Sequence, residues 1–296
     1  MNITIRQLEV FCAIARRGHV GRAAEESGLS QSAASMALAE LERQLGQPLF
    51  DRIGKRLALN GNGRHLFPKA VELLAHAEEI EGLFSRTGAQ ISGELRIGAS
   101  STIGNYLMPR LIGLFSQKHP DVRIALQVGN TDQIIHTLLD FDIDLGYIEG
   151  TCRNPNIDTE IWRTDELIIF SGQKNPLAKK PKTTRAELAA SQWILREQGS
   201  GTREIFEQAV AAKLGRLDVH YELGHTEAVK QAVKNNLGIS CLSRLTVAEE
   251  LKAKTLTELH TPFPRLQRHF YRLQHTNKHP TRALDCFSDF IRQQIL

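Results

Sequence analysis

With 296 residues, the chain is long enough for roughly two domains. Hydrophobic residues make up 41% and charged residues 24%, a globular balance that excludes a disordered or fibrous chain. The formal net charge is only +4, with eight Lys/Arg and six Asp/Glu in the first 60 residues, so nucleic-acid affinity must come from placement rather than bulk charge. Residues 3–17 are predicted helical, with Leu8, Phe11, Cys12 and Ala15 as the buried stripe. Residues 19–27 carry Val20, Ala23 and Ala24 on one narrow face, suited to a close helix crossing. Gly28 stops that helix and Leu29 plugs the turn.

Ser30 is placed to cap a second helix over residues 31–45, whose inward positions are Ala34, Leu38, Leu41 and Leu45. Gln31, Ser32, Ser35 and Met36 fall on the opposite side near its N-terminus. In a helix-turn-helix that end reaches base edges in the major groove. Gln pairs with adenine, Ser bonds to several edges and an apolar side chain touches the thymine methyl. Leu49 and Phe50 would close the core beneath a hairpin wing, where Arg52, Lys55 and Arg56 crowd a turn containing Gly54. Cations there suit the phosphate backbone or the minor groove. The plainer reading is a solvated face on an Ala-rich helix pair, and periodicity leaves the two near even.

The Asn-Gly-Asn-Gly stretch at 60–63 reads as a breaker. A helix over 64–86 follows, with Leu66, Ala70, Leu73, Ala77, Ile80 and Phe84 spaced four and three. That is a heptad seam for a homodimer; the alternative is an amphipathic helix lying on its own domain. Residues 87–93 form a polar hinge. From residue 94 the pattern turns α/β. Strands are expected at 95–99, 122–128, 143–148, 160–163, 167–171, 193–196, 219–223, 239–242 and 269–273. Helices are expected at 103–117, 131–139, near Ala186, at 202–214, 226–235 and from 281 to the end. The last helix should return to the first of two lobes.

The chain resembles the LysR-type transcriptional regulators. The resemblance rests on Ile5-Arg6-Gln7-Leu8-Glu9-Val10-Phe11, Ala23-Ala24, Leu29-Ser30-Gln31-Ser32-Ala33-Ala34-Ser35, Leu41-Glu42, Leu45-Gly46 and Leu49-Phe50-Asp51-Arg52, in that order. It implies a winged helix-turn-helix, a pairing linker helix and a two-lobed, periplasmic-binding-protein-like effector domain. It also implies promoter DNA and RNA polymerase as candidate partners, and a homotetramer built from dimers. Many members carry Arg where this chain has Met36, so an operator sequence does not carry over. The implied domains are 1–60, 61–90 and 91–296, the last with one lobe of 91–162 and 266–296 and another of 163–265.

In open α/β sheets, ligands sit outside the carboxyl ends of strands. Ser100, Ser101 and Thr102 follow the first strand, and Ser200, Gly201, Thr202 and Arg203 do the same in the second lobe. Glu149 and Gly150 should rim the same cleft, and Asn130, Thr131, His225 and Thr226 open other helices there. Free N–H groups and hydroxyls suit an anion; ordinary helix capping is the plainer reading of each loop alone. Segments 99–106, 147–150 and 193–204 resemble the YeiE-like, sulfite-associated branch of the family, which implies sulfite, sulfate or a carboxylate as effector.

No catalytic set assembles. Ser100 lacks the following glycine of a nucleophile elbow, and Gly199 and Gly201 lack the third glycine of a dinucleotide loop. Asp142 and Asp144 read as turn residues, and Asp165 and Glu166 stand without a partner base or nucleophile. Cys12, Cys152, Cys241 and Cys286 are scattered, and His275 and His279 read as a surface loop pair, so neither a metal nor another cofactor is expected. With no leader and no long apolar run, a cytoplasmic location is expected. The reading is a DNA-binding, effector-modulated regulator; the alternative is a small-molecule binding module acting through protein contacts.

Overall fold

The computed structural model describes residues 3–54, 56–85 and 91–294, and only the backbone of residues 81–85. It separates into two compact units. One comprises Met1–Glu94, His119–Arg123 and Asn277–Asp289; the other comprises Leu95–Lys118, Ile124–Thr276 and Phe290–Leu296. Among the described residues, no helix is long and apolar enough to cross a membrane.

In the first unit, α1 (Ile5–Arg17) begins at a capping box between Thr4 and Gln7 and ends at Gly18, with φ at 65°. It is wrapped by α2 (Val20–Glu26), α3 (Gln31–Leu45) and α4 (Gly61–Ser85), so Val10, Ala13 and Ile14 are buried as well as Leu8, Phe11 and Cys12. The Ser30 hydroxyl caps α3, accepting from Ala33 N at 3.2 Å. Ala34, Leu38 and Leu41 are buried, but Leu45 is exposed, because the last turn of α3 runs past the core before Gly46 ends it. The wing is an antiparallel pair, β1 (Phe50–Ile53) and β2 (Arg56–Leu59). Leu49 and Phe50 close the core beneath it, with the Phe50 ring 5.5 Å from Phe11.

The stretch that reads as a breaker instead opens α4. Asn60 accepts from Gly63 N at 2.9 Å, and the helix runs from Gly61. A Cβ at Gly63 would lie 2.1 Å from the Leu49 carbonyl oxygen, so this glycine permits a close approach rather than a turn. At 25 residues, α4 is about 38 Å long.

The second unit is organised on one sheet. Its strands are β3 (Gly93–Ser100), β4 (Val122–Gly129), β5 (Leu145–Ile148), β6 (Ile157–Gly172), β7 (Gln192–Arg196), β8 (Asp218–Leu223), β9 (Ile239–Ser243), β10 (Leu256–Glu258) and β11 (Leu266–His275). The order is β4-β3-β5-β11-β6-β9-β7-β8, with β10 pairing β6. β3 lies parallel to β5, and β7 lies parallel to β8 and β9, which makes two parallel lobes. The two short strands expected at 160–163 and 167–171 are one 16-residue strand, β6, and β11 returns antiparallel beside it. These long strands are the double crossing between lobes.

The helix expected at 103–117 breaks at Leu107 into α5 (Ser101–Tyr106) and α6 (Met108–Lys118); α7 (Thr131–Leu139) and α8 (Arg185–Ala189) follow. Residues 201–214 form α9 (Gly201–Phe206), a π-helical turn over Glu207–Ala211 and α10 (Ala212–Leu214). Next come α11 (Thr226–Lys234) and α12 (Arg244–Lys252); α12 and β10 fall in a stretch for which the sequence suggests no element. The final helix is α13 (Arg282–Gln293), whose Phe290 packs 5.4 Å from Phe115 of the first lobe. The first lobe centres on Ile134, Ile143, Ile148 and Leu273. The second has a core on each sheet face, around Trp193 and Phe206 and around Phe170 and Val229.

Candidate functional site

The N-terminal end of α3 presents Gln31, Ser32, Ser35 and Met36 to solvent, with Met36 72% exposed, while Ala34 and Leu38 turn inward. Such outward placement of a large apolar side chain has no packing purpose in this unit. Arg52 and Arg56 are exposed on the wing and form no ion pair among the described residues; Lys55 lies outside the described residues. Along α4, Leu73 and Ile80 are exposed, Leu66 and Ala77 are half-buried, and the Phe84 side chain is not among those described. Ala70 is fully buried with Phe67 and Val71, and Phe67 packs 6.3 Å from Phe11. Its own α1 therefore covers the Ala70 position of the heptad pattern.

The second unit brings all eight expected effector residues to one place. Ser100, Ser101, Thr102, Glu149, Ser200 and Thr202 are buried where the two lobes meet. Gly150 and Gly201 touch across that seam: a Cβ on Gly201 would lie 2.5 Å from Gly150 N and 2.7 Å from Thr131 Oγ1. Further bonds cross it. Asp132 N donates to Gly199 O at 3.3 Å, Arg196 Nη2 to Ser101 Oγ at 3.2 Å, and Thr151 Oγ1 to Glu204 Oε1 at 2.8 Å.

At the centre lies a buried carboxylate. Glu149 Oε1 accepts from Thr102 N at 3.0 Å, and Oε2 accepts from Thr202 Oγ1 at 3.2 Å. Arg268 Nη2 stands 2.7 Å from Oε2, and Arg268 Nε bonds Asp165 Oδ2 at 2.6 Å. Arg268 also donates to Thr202 Oγ1 at 2.9 Å. Burial alone would raise the Glu149 pKa, but Arg268, the Thr102 hydroxyl and N–H, and a weaker contact from Ser100 hold it below the usual carboxylate value. One buried cation thus faces two buried carboxylates at this cradle, which is not the cationic pocket that free N–H groups suggest. A second buried cation at the seam, Arg196, is paired with Glu197 and donates to Ser101 and Thr226. The anion cradle is already filled by the protein's own Glu149.

Capping does not account for the serines. Ser100 and Ser200 occupy N-cap positions, yet neither side chain makes a cap bond. Ser100 Oγ and Thr131 Oγ1 are buried without a well-formed hydrogen bond. Ser100 keeps its weak contact to Glu149, whereas the buried Thr131 hydroxyl at the seam has none among the described residues and is free to bond an entering ligand. Arg203 turns away from the cradle, to Glu207, Glu222 and the Arg196 carbonyl. The strand-end loops alone do not reveal Arg268 and Asp165 as members of the cradle. The signal for Arg268 is a cation at the inward parity of β11, where Arg268 and Phe270 are both buried. His275 and His279 do not form a surface pair: His275 is buried against Phe141 and His279 lies beside His76.

Two family models match the chain: "Bacterial regulatory helix-turn-helix protein, lysR family" over residues 5–64, and "LysR substrate binding domain" over residues 88–295. The chain is 47% identical over 290 residues to the HTH-type transcriptional regulator YeiE of Escherichia coli (strain K12), covering 98% of this chain and 97% of that protein. A full-length OxyR variant from Pseudomonas aeruginosa shares the fold, with a TM-score of 0.78 at 22% identity, over 99% of this chain and 96% of that one. The Synechocystis PCC6803 CcmR regulatory domain, solved in complex with 2-PG, superposes with a TM-score of 0.63 at 30% identity, over 68% of this chain and 96% of that one.

Proposed function

Since the chain belongs to the LysR family of bacterial transcriptional regulators, DNA-binding proteins with an effector-binding domain, we propose how its own residues divide that work. Gln31, Ser32, Ser35 and Met36 read base edges in the major groove. Arg52, Lys55 and Arg56 hold phosphates or the minor groove. Leu66, Leu73, Ala77, Ile80 and Phe84 pair two chains, setting two recognition helices at half-sites one DNA turn, about 34 Å, apart or a multiple of it. Pairing of effector domains then gives a homotetramer, working in the cytoplasm, with RNA polymerase as its protein partner. Residues 1–60 bind DNA, 61–90 link, and 91–296 sense the effector. The observation that carries the DNA assignment is the outward face at the start of α3, where Gln31, Ser32, Ser35 and Met36 are all exposed, polar or apolar without distinction.

Removing wing cations tests it. Arg52→Ala with Arg56→Ala should weaken binding on every DNA sequence and reduce the slope of log K against log salt by about 2, one for each phosphate no longer neutralised. An unchanged slope would sink the role given to both arginines.

The effector is a small oxyanion or carboxylate, sulfite and sulfate being the first to try. Support comes from Glu149: the protein places its own carboxylate on Thr102 N–H, the Thr202 hydroxyl and Arg268. An entering anion competes for these donors and gains the Ser100 and Thr131 hydroxyls. CcmR, solved with 2-PG, supports a small-molecule effector in this family. A ligand that binds the folded chain raises its melting temperature with concentration. Screening sulfite, sulfate, phosphate and simple carboxylates should give a saturable rise. Ser100→Ala removes only a weak contact to Glu149, so it should change the ligand-free melting temperature little, and it should abolish the rise. A rise retained in that variant, or no rise with any anion, would overturn the assignment.

A further inference from the structure

We propose a divalent transition-metal site formed by Glu72, His76 and His279, of zinc type, on a face of α4 next to its heptad seam. On α4, Glu72, His76 and Glu79 stand at i, i+4 and i+7, which stacks them along one face. Leu73 and Ile80 each lie one residue further on, so their exposed face is rotated by about 100° from it. His279 reaches this face from the segment before α13, outside any helix or strand. The two imidazole rings stack, 3.5 Å apart at their centroids with planes inclined by 43°, so sharing one ion requires them to splay to roughly 5 Å. One ligand atom from each of Glu72, His76 and His279 lies within 4.8 Å of the others.

Direct hydrogen bonds do not explain this convergence. Glu79 Oε2 stands 4.0 Å from His76 Nδ1 and 3.9 Å from His279 Nε2, beyond hydrogen-bond reach of both. Around zinc, nitrogen and oxygen donors sit at about 2.0–2.2 Å, so neighbouring donors are roughly 3.4 Å apart. The present spacings exceed that by about 1.5 Å at most, and all three side chains are only half-buried and have room to turn. The donor set selects the ion. Two imidazoles and a carboxylate suit zinc, nickel or cobalt; magnesium and calcium require oxygen cages, and no thiolate stands among the three donors to favour copper(I). Glu79 or water completes four-coordination. A bound ion ties the His279 segment to the helix proposed to pair two chains, beside the seam and not on it. The sequence hides this site because its donors are some 200 residues apart and the nearer pair, His275 and His279, is split by the end of β11.

The test uses the full-length, tag-free protein, stripped with chelator and titrated calorimetrically with zinc chloride. One zinc per chain should bind with a Kd of about 1 µM or tighter, and magnesium should give no heat. His76→Ala and His279→Gln should each weaken zinc binding by about tenfold or more. His279→Gln alters a residue outside regular structure, so it decides the matter if His76→Ala disturbs α4. Cobalt(II) should give visible d–d absorption without the near-ultraviolet band of a thiolate ligand. No saturable zinc uptake, equal affinity in the folded histidine variants, or a thiolate band from Cys286 beside His119 would overturn the site.

Discussion

Arg268→Met should cost about 3–5 kcal/mol of stability, because it strips the shared cation from two buried carboxylates while keeping a similar volume. The arginine side chain is 1% exposed, Glu149 3% and Asp165 7%, so water cannot replace the lost charge. Ser243 still donates to Asp165 and Thr102 N still donates to Glu149, but neither carries a positive charge. The pH dependence should change sign with the substitution. In the native chain the Glu149 pKa is held below the ordinary carboxylate value. Its contribution is therefore present above that ordinary value and lost as pH falls through the folded pKa. Without Arg268, burial dominates and raises the folded pKa. The variant should then gain stability as pH falls from about 8 towards about 5, while the native chain does not. Adding Glu149→Gln and Asp165→Asn should restore most of the loss, since a neutral replacement of a buried ion cluster is tolerated far better than half of it. Denaturant unfolding at two pH values measures all three chains; a loss under about 1 kcal/mol in Arg268→Met would show that the cluster is solvated and sink the argument.

The two sites are unequally legible in the sequence. α3 can be read because its face is local: four exposed positions and three buried ones repeat at helical spacing over 15 residues. The effector seam is legible as loops but not as chemistry. Ser100, Thr102, Glu149 and Thr202 follow strand ends, and strand ends are visible in sequence. That Glu149 fills the cradle depends on β11 placing Arg268 beneath it, a pairing about 100 residues distant along the chain, with a register shift at Phe270/Tyr271. β6 reads as two strands because the polar run Thr164-Asp165-Glu166 interrupts the apolar pattern, whereas in the fold Asp165 pairs with Arg268 and Glu166 with Arg244, so the strand continues through them. Gly63 misleads for the opposite reason: Asn-Gly-Asn-Gly spells a turn locally, but the tertiary approach of Leu49 decides its use.

Gly201→Ala should abolish lobe closure and with it the effector response, while DNA binding persists. A methyl group there would meet Gly150 N at 2.5 Å, the Glu149 carbonyl carbon at 2.7 Å and Thr131 Oγ1 at 2.7 Å. Two of these three are backbone atoms of the facing lobe, which cannot turn aside as the end of a flexible side chain can. Overpacking of this kind costs about 1–3 kcal/mol, and one that backbone cannot relieve falls at the upper end. Since about 1.4 kcal/mol is a factor of ten, the closed population should fall by about a hundredfold. The bonds that depend on closure go together: Asp132 N to Gly199 O, Arg196 to Ser101, and Thr151 to Glu204. Hydrogen exchange should show the Asp132 amide losing protection, and the anion-dependent rise in melting temperature should disappear. Gly150→Ala should be milder, because one of its closest neighbours, at 3.0 Å, is the end of the Glu204 side chain. Gly113→Ala, on α6 with nothing within 4 Å, should be neutral or stabilising and serves as the control. DNA affinity should be retained in all three, since none of these residues lies in the unit that carries α3. Unchanged protection at Asp132 in Gly201→Ala would mean that the lobes close without the Gly150–Gly201 contact, and the two glycines would then have no part in sensing.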